Sequence, residues 1–173
     1  MTASAHPTVR IRRPLGQRRS GAEPHGPRSP QPVTAPIVAA VDNSFASATA
    51  SRDAVRLGQA LKAPIVFVYV RRGPSLTFGA PYYQRRLDTA MAAGRRALND
   101  ALAVAEQAGV PATGELLEGR PARRVVEFAR LRGARLVVLG SRRRLLGSSV
   151  SRQVIRLADR PVVVAGRTAA APA

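Results

Sequence analysis

The chain has 173 residues, of which 45% are hydrophobic, so it is long enough for one compact domain with a tail and too short for two ordinary domains. The absence of cysteine excludes disulfides, thiolate zinc sites and thiol nucleophiles. The formal net charge of +18 favours contact with polyanions, but no nucleic-acid-binding motif accompanies it, so we expect no specific nucleic-acid partner.

Residues 1–35 are rich in arginine, proline, glycine and serine, and their only acidic residue is Glu23. Such a segment buries too little apolar surface to offset the entropy lost on ordering, so we expect a disordered basic tail, either a tethering arm or a dispensable extension. It lacks the hydrophobic stretch of a secretory signal. No apolar run in the chain approaches the roughly 20 residues that cross a bilayer. We therefore expect a cytoplasmic protein with no membrane partner.

Five apolar runs alternate with four helical patterns between residues 36 and 167. Four of the runs are continuously apolar, as is typical of strands covered on both faces. These four are Pro36–Val41, Pro64–Val70, Leu136–Leu139 and Val162–Ala165. The remaining run, Thr113–Leu117, is broken by Gly114 and Glu115, and it is predicted to lie at a sheet edge.

Helix signals separate these strands. Asp42, Asn43 and Ser44 offer capping oxygens after the first strand, and Pro121 opens the third helix, where its missing N–H costs nothing. Strands separated by helices of ten or more residues pair in parallel through right-handed crossovers. The pattern therefore predicts a doubly wound α/β fold with helices on both faces, followed by a frayed C-terminus at residues 168–173.

The junction after the fourth strand is the predicted anion site. It lies at the carboxyl edge of the sheet, where backbone N–H groups and the positive end of the next helix hold anions. Ser148, Ser149 and Ser151 cluster at the predicted helix start, and Arg142 lies among neighbouring arginines. The alternative is a tight loop with a serine cap and solvated arginines.

Five segments in this order resemble the universal stress protein family from about Pro36 to Arg167. They are IVAAVDNSFAS, VFVYV, EGRPARRVV, GARLVVLGSR and SSVSRQVIRLADRPVVVA. The resemblance implies a five-stranded parallel sheet in the order 3-2-1-4-5. It also implies a homodimer formed through the fifth strand, at the sheet edge.

Many members of that family bind ATP, so the resemblance implies ATP or another adenine nucleotide at the carboxyl edge. The implied ligand residues are Val41, Asp42, Val70, Gly140, Arg142, Ser148, Ser149, Val150 and Ser151. In this chain Arg143 stands where the family loop has its second glycine, and an arginine resists the φ > 0 conformation that lets several N–H groups converge on a phosphate. For Asp42 the alternative is that it only ends a strand and caps a helix.

Catalytic chemistry is scarce in the sequence. Both histidines, His6 and His25, lie in the predicted tail, no acidic cluster suggests a metal site, and the serines near 148–151 have no visible general base. We therefore expect no enzyme, no catalytic residues and no metal. The expected function is regulatory: nucleotide binding orders the loop and changes a surface that an unidentified protein partner contacts. The alternative is a ligand-free, dimeric protein-interaction module.

Overall fold

The computed structural model describes residues 9–11, 34–72, 80–140 and 150–166. Within these ranges the strands are β1 (Val9–Ile11), β2 (Ile37–Ala40), β3 (Ile65–Arg71), β4 (Ala112–Glu118), β5 (Leu136–Gly140) and β6 (Val162–Ala165). The helices are α1 (Phe45–Leu61), α2 (Ala80–Gln107), α3 (Pro121–Leu131) and α4 (Val150–Leu157). No helix in the described ranges combines the length and the apolarity that crossing a bilayer requires.

All strand pairs are parallel, and the sheet order is β1-β4-β3-β2-β5-β6. Numbered among themselves, the five strands from β2 to β6 follow the order 3-2-1-4-5, so the predicted doubly wound fold is confirmed. Strand β2 lies at the point where the chain reverses direction across the sheet, since β3 pairs with one of its edges and β5 with the other. Doubly wound folds bind ligands in the crevice that opens beyond the carboxyl ends of the strands at such a point.

Strand β1 is a departure from the sequence-based prediction. It pairs with β4, with Arg10 opposite Glu115, although it lies within the segment predicted to be disordered. Residues 1–8 and 12–33 lie outside the described residues, so the disorder expected of this segment stays a prediction. Among the five strands from β2 to β6, β4 lies at the edge, as predicted for Thr113–Leu117, and β1 pairs along the outer side of β4. Composition within a short window carries no information on a pairing between residues so far apart in the chain.

Two apolar layers cover the sheet. The layer under α1 and α2 includes Phe67 and Leu98, and the layer under α3 includes Val68 and Phe128. Phe67, Leu98 and Val68 are completely buried. The two layers explain why the strands lack the alternation of a half-exposed sheet.

Local signals set the helix ends. Ser44 is the N-cap of α1, where its Oγ accepts a 3.3 Å hydrogen bond from the Ser47 N–H. Pro121 is the first residue of α3, as predicted. Gly109 follows α2 with φ 67°, a left-handed conformation that costs glycine little. The predicted frayed segment at 168–173 lies outside the described residues.

Candidate functional site

A cleft of about 420 Å³ opens beyond the carboxyl ends of β2, β3 and β5. Its described lining comprises Ala40, Val41, Asp42, Ser44, Ser47, Val68, Val70, Arg72, Pro121, Val125, Leu139, Gly140, Val150 and Ser151. The volume lies within the range of small-molecule sites, roughly 300–1,000 Å³. The cleft lies where β2 separates the two halves of the sheet, as the topology predicts.

One side of the cleft is built by the turn from β2 into α1. The Val41 N–H donates to the Val68 carbonyl at 2.9 Å, which extends the pairing with β3 past the end of β2. The Asp42 N–H then donates to Ser47 Oγ at 2.8 Å. The Ser44 N–H donates to Asp42 Oδ1 at 2.9 Å, and the Ser44 hydroxyl donates to the same oxygen. These bonds fix the Asp42 carboxylate against the start of α1.

Asp42 therefore fits both interpretations that the sequence left open. Its Oδ1 holds Ser44, the N-cap of α1, which is the structural role. The residue is also exposed and lines the cleft, so its carboxylate is accessible to a ligand. The two roles are compatible because a carboxylate has about four lone-pair sites.

The inner wall of the cleft is apolar. Val68 of β3, Val125 of α3 and Leu139 of β5 have at most 3% of their surface exposed, and Val70 is half-buried. These side chains come from both sides of β2 and from the helix layer below it. A flat aromatic ring would find apolar contact on this wall, while its polar edge could remain at the open side.

The opposite side is formed by the end of β5 and the start of α4. The Ser151 hydroxyl donates to the Gly140 carbonyl at 2.9 Å, which joins the first turn of α4 to the strand. A Cβ added at Gly140 would lie 2.5 Å from the Ala46 carbonyl oxygen. Glycine is therefore required here because β5 approaches the backbone of α1, a reason that differs from the phosphate contact that the sequence suggested.

Six of the nine predicted ligand residues lie together on the cleft wall: Val41, Asp42, Val70, Gly140, Val150 and Ser151. Arg142, Ser148 and Ser149 lie outside the described residues, as does Arg143. That these residues bind a nucleotide stays a prediction at this point.

Several lining residues were missed by the sequence analysis, notably Ser47 and Arg72. Arg72 directly follows β3, just as Asp42 closely follows β2. Its position at the carboxyl end of a strand could therefore have predicted that it lines the cleft. Ser47 is 5% exposed and lies in the first turn of α1, where its Oγ accepts a hydrogen bond from the Asp42 N–H. No pattern in the sequence signals that contact.

Further polar space lies beside this cleft. A second cleft of about 490 Å³ extends from the start of α1 to α2 and shares Asp42, Ser44 and Ser47 with the first. Within the described ranges, no three acidic or histidine side chains gather in a way that could hold a metal ion.

Comparison with known proteins agrees with the fold. The model of the universal stress protein family matches residues 34–166. Universal stress protein MJ0531 of Methanocaldococcus jannaschii is 32% identical over 136 residues, which cover 74% of this chain and 79% of the relative.

Two solved structures are also similar. A protein of the universal stress protein family from Burkholderia pseudomallei is 30% identical with a TM-score of 0.65, over 78% of this chain and 98% of that one. The universal stress protein from Archaeoglobus fulgidus in complex with dAMP is 26% identical with a TM-score of 0.63, over 76% of this chain and 98% of that one.

Proposed function

Since this chain belongs to the universal stress protein family, we propose that it binds an adenine nucleotide in the cleft beyond β2, β3 and β5. The observation that carries the proposal is the convergence of Asp42, Val70 and Gly140, from three different strand ends, on one cleft. A similar structure from Archaeoglobus fulgidus was solved in complex with dAMP. An adenine nucleotide consists of an aromatic ring, a sugar and phosphate, and each of these parts suits a different side of the cleft.

The adenine ring would lie against the apolar wall formed by Val68, Val70 and Leu139. The sugar would lie beside Asp42, whose carboxylate accepts hydrogen bonds from hydroxyl groups. The phosphate would point towards Gly140 and the start of α4, because the first N–H groups of a helix have no partner within the helix and favour an anion. Arg72, exposed at the end of β3, adds positive charge to the same edge.

We propose further that the phosphate nearest the sugar provides most of the contact, so that AMP binds about as tightly as ATP. The reason comes from the sequence: Arg143 stands where the family loop has its second glycine, and arginine rarely adopts the φ > 0 conformation that lets several N–H groups converge on a longer phosphate chain. The ligand would act as a signal, and binding would stabilise one arrangement of the surface around α4 for a protein partner. The proposal includes no turnover.

The test is calorimetric titration of the purified full chain with AMP and with ATP, comparing the wild type with Asp42→Asn. Asparagine keeps an oxygen for Ser44 but loses the charge. We expect its affinity for either nucleotide to fall about tenfold or more, the usual effect of losing a hydrogen bond to a charged group. The matched control is Asp53→Asn on α1, which lies outside the cleft and forms an exposed ion pair with Arg56. It should bind like the wild type.

Two results would refute nucleotide binding at this site. One is the absence of any heat or thermal stabilisation with millimolar AMP or ATP, together with no small molecule released from the native protein in mass spectrometry. The other is unchanged affinity in Asp42→Asn. Release of free phosphate from ATP that Asp42→Asn abolishes would instead identify an enzyme.

A homodimer is the second part of the proposal, and exposed apolar residues support it. Strand β6 ends the described sheet, and Val164 on this strand is 38% exposed. On the neighbouring helix α4, Ile155 and Leu157 are 54% and 47% exposed. We expect Val164→Lys to convert a dimer into a monomer in sedimentation experiments without abolishing AMP binding. A wild-type chain that sediments as a monomer at micromolar concentration would refute the dimer alone.

A further inference from the structure

The helices on the two faces of the sheet differ in charge. Helix α2, on one face, has four arginines and three acidic residues among its 28 residues. Helix α3, on the other face, has 11 residues, and with its two cap residues it carries five arginines and one glutamate. These arginines are Arg120, Arg123, Arg124, Arg130 and Arg132. A general preference for arginine would charge both faces alike, so the excess is a property of α3.

The charges of α3 lie on its solvent side. Its apolar residues are buried against the sheet, among them Phe128. Arg120 and Arg123 are exposed, and neither forms an ion pair within the part of the chain that the structure describes. Glu127, the acidic residue of the helix, is already paired with Arg124 at 3.0 Å. The helix therefore presents guanidinium groups to solvent, while its own carboxylate is engaged.

Two of these arginines lie where the helix itself disfavours a cation. Arg120 is the N-cap of α3 and Arg123 lies in the first turn, which holds no acidic residue. The positive end of a helix dipole favours anions and disfavours cations. An external anion at this end of α3 would be attracted both by the guanidinium groups and by the helix. Residues that break a local rule without a partner inside the fold indicate a partner outside it.

Helix α4 extends the basic surface, since it packs beside α3. From the start of α4 to the start of β6 the sequence has three arginines, Arg152, Arg156 and Arg160, and one acidic residue, Asp159. Asp159 is engaged by Arg130 at 3.1 Å, which joins the end of α3 to the turn after α4. We call this surface, formed by α3 with its caps and by α4, the basic face.

A linear polyanion fits the basic face. Arg120 and Arg132 are 12 residues apart, which corresponds to about 18 Å of helix. A nucleic-acid duplex carries one charge per roughly 1.7 Å of its axis, so about ten phosphates lie along such a span. Guanidinium groups bind phosphate oxygens in pairs. An anionic membrane would instead take up an exposed apolar helix face, whereas the apolar face of α3 is covered by the sheet.

We propose that the basic face binds the phosphate backbone of a nucleic-acid duplex without sequence preference. Backbone contacts carry no sequence information, so this binding needs no sequence-reading motif. Each arginine that contacts a phosphate releases counterions, and the affinity therefore falls steeply with salt. This inference is independent of nucleotide binding in the cleft.

The test is fluorescence anisotropy of the full chain with a labelled duplex of about 20 base pairs, as DNA and as RNA, at about 50–200 mM salt. In Arg120→Gln/Arg123→Gln we expect the affinity to fall at least about tenfold at 100 mM salt. The slope of log K against log salt should become shallower by about 2, because each lost phosphate contact removes about 0.9. The matched control is Arg85→Gln/Arg95→Gln, which removes the same charge from exposed arginines of α2. Its affinity should stay within about twofold of the wild type.

The outcomes separate a local surface from a general effect of charge. Equal losses in the two double variants would show that only net charge matters, and would overturn the proposal. A wild-type chain that binds neither duplex at about 50 mM salt would overturn it as well. Binding to polyglutamate or to phosphatidylserine vesicles, but not to the duplexes, would assign the basic face to an acidic protein or a membrane and overturn a nucleic-acid partner. Titration with AMP tests the cleft separately, so either proposal can fail alone.

Discussion

Substitution of Gly140 by alanine should test how the cleft is assembled. The added Cβ would lie 2.5 Å from the carbonyl oxygen and 2.7 Å from the carbonyl carbon of Ala46 in α1. Ordinary van der Waals contact begins near 3.4 Å. The start of α1 and the end of β5 must therefore separate by close to 1 Å. Both obstructing atoms belong to the backbone, so a change of rotamer cannot relieve the clash.

The expected cost follows from this geometry. Overpacking a well-packed region costs about 1–3 kcal/mol, and replacing glycine by alanine recovers about 0.4–1 kcal/mol by restricting the unfolded chain. We therefore expect the free energy of unfolding to fall by about 1–2 kcal/mol. For a chain of this length the corresponding fall in Tm is about 2–8 °C. Because α1 carries Ser44 and Ser47, nucleotide affinity should fall as well.

Urea denaturation followed by circular dichroism measures the change, with Gly166→Ala as the matched control. A Cβ at Gly166 meets no atom within 4 Å, so this variant should remain within about 0.5 kcal/mol of the wild type. If Gly140→Ala is as stable as Gly166→Ala and the wild type, the close approach of β5 to α1 is not a constraint on this fold.

Two further substitutions test individual contacts. Arg132→Ala should lower the free energy of unfolding by about 2–4 kcal/mol in urea denaturation, because it leaves the buried Glu115 carboxylate without its cation. The control Arg130→Ala removes an exposed ion pair from the same helix end and should lower it by less than about 1 kcal/mol. Equal losses in the two variants would refute a special role of Glu115. Ser151→Ala should lower the free energy of unfolding by about 1 kcal/mol, because it removes the hydrogen bond to the Gly140 carbonyl. A Tm within error of the wild-type value would show that this bond does not anchor α4.

Much of the fold could be predicted because its signals are local. Continuous apolar runs identified β2, β3, β5 and β6 within a residue or two, and the prolines and glycines between them placed the helix ends. A parallel sheet brings all its strand carboxyl ends to one edge. The resemblance to the universal stress protein family implied that Asp42, Val70 and Gly140 belong to one site, and the structure places all three on one cleft at this edge.

The contacts that only the tertiary structure decided join residues that are distant in sequence or that no pattern links. Strand β1 forms by pairing its backbone with β4, whereas the local composition of the arginine-rich segment predicted disorder. Glu115 interrupts an apolar run, and its sequence context resembles that of a surface residue. In the structure it is buried, and the hydrogen bond from Arg132 offsets part of the cost of burying its carboxylate. Local patterns report what each segment can form, whereas the pairing of a buried charge or an edge strand depends on which distant group the folded chain places beside it.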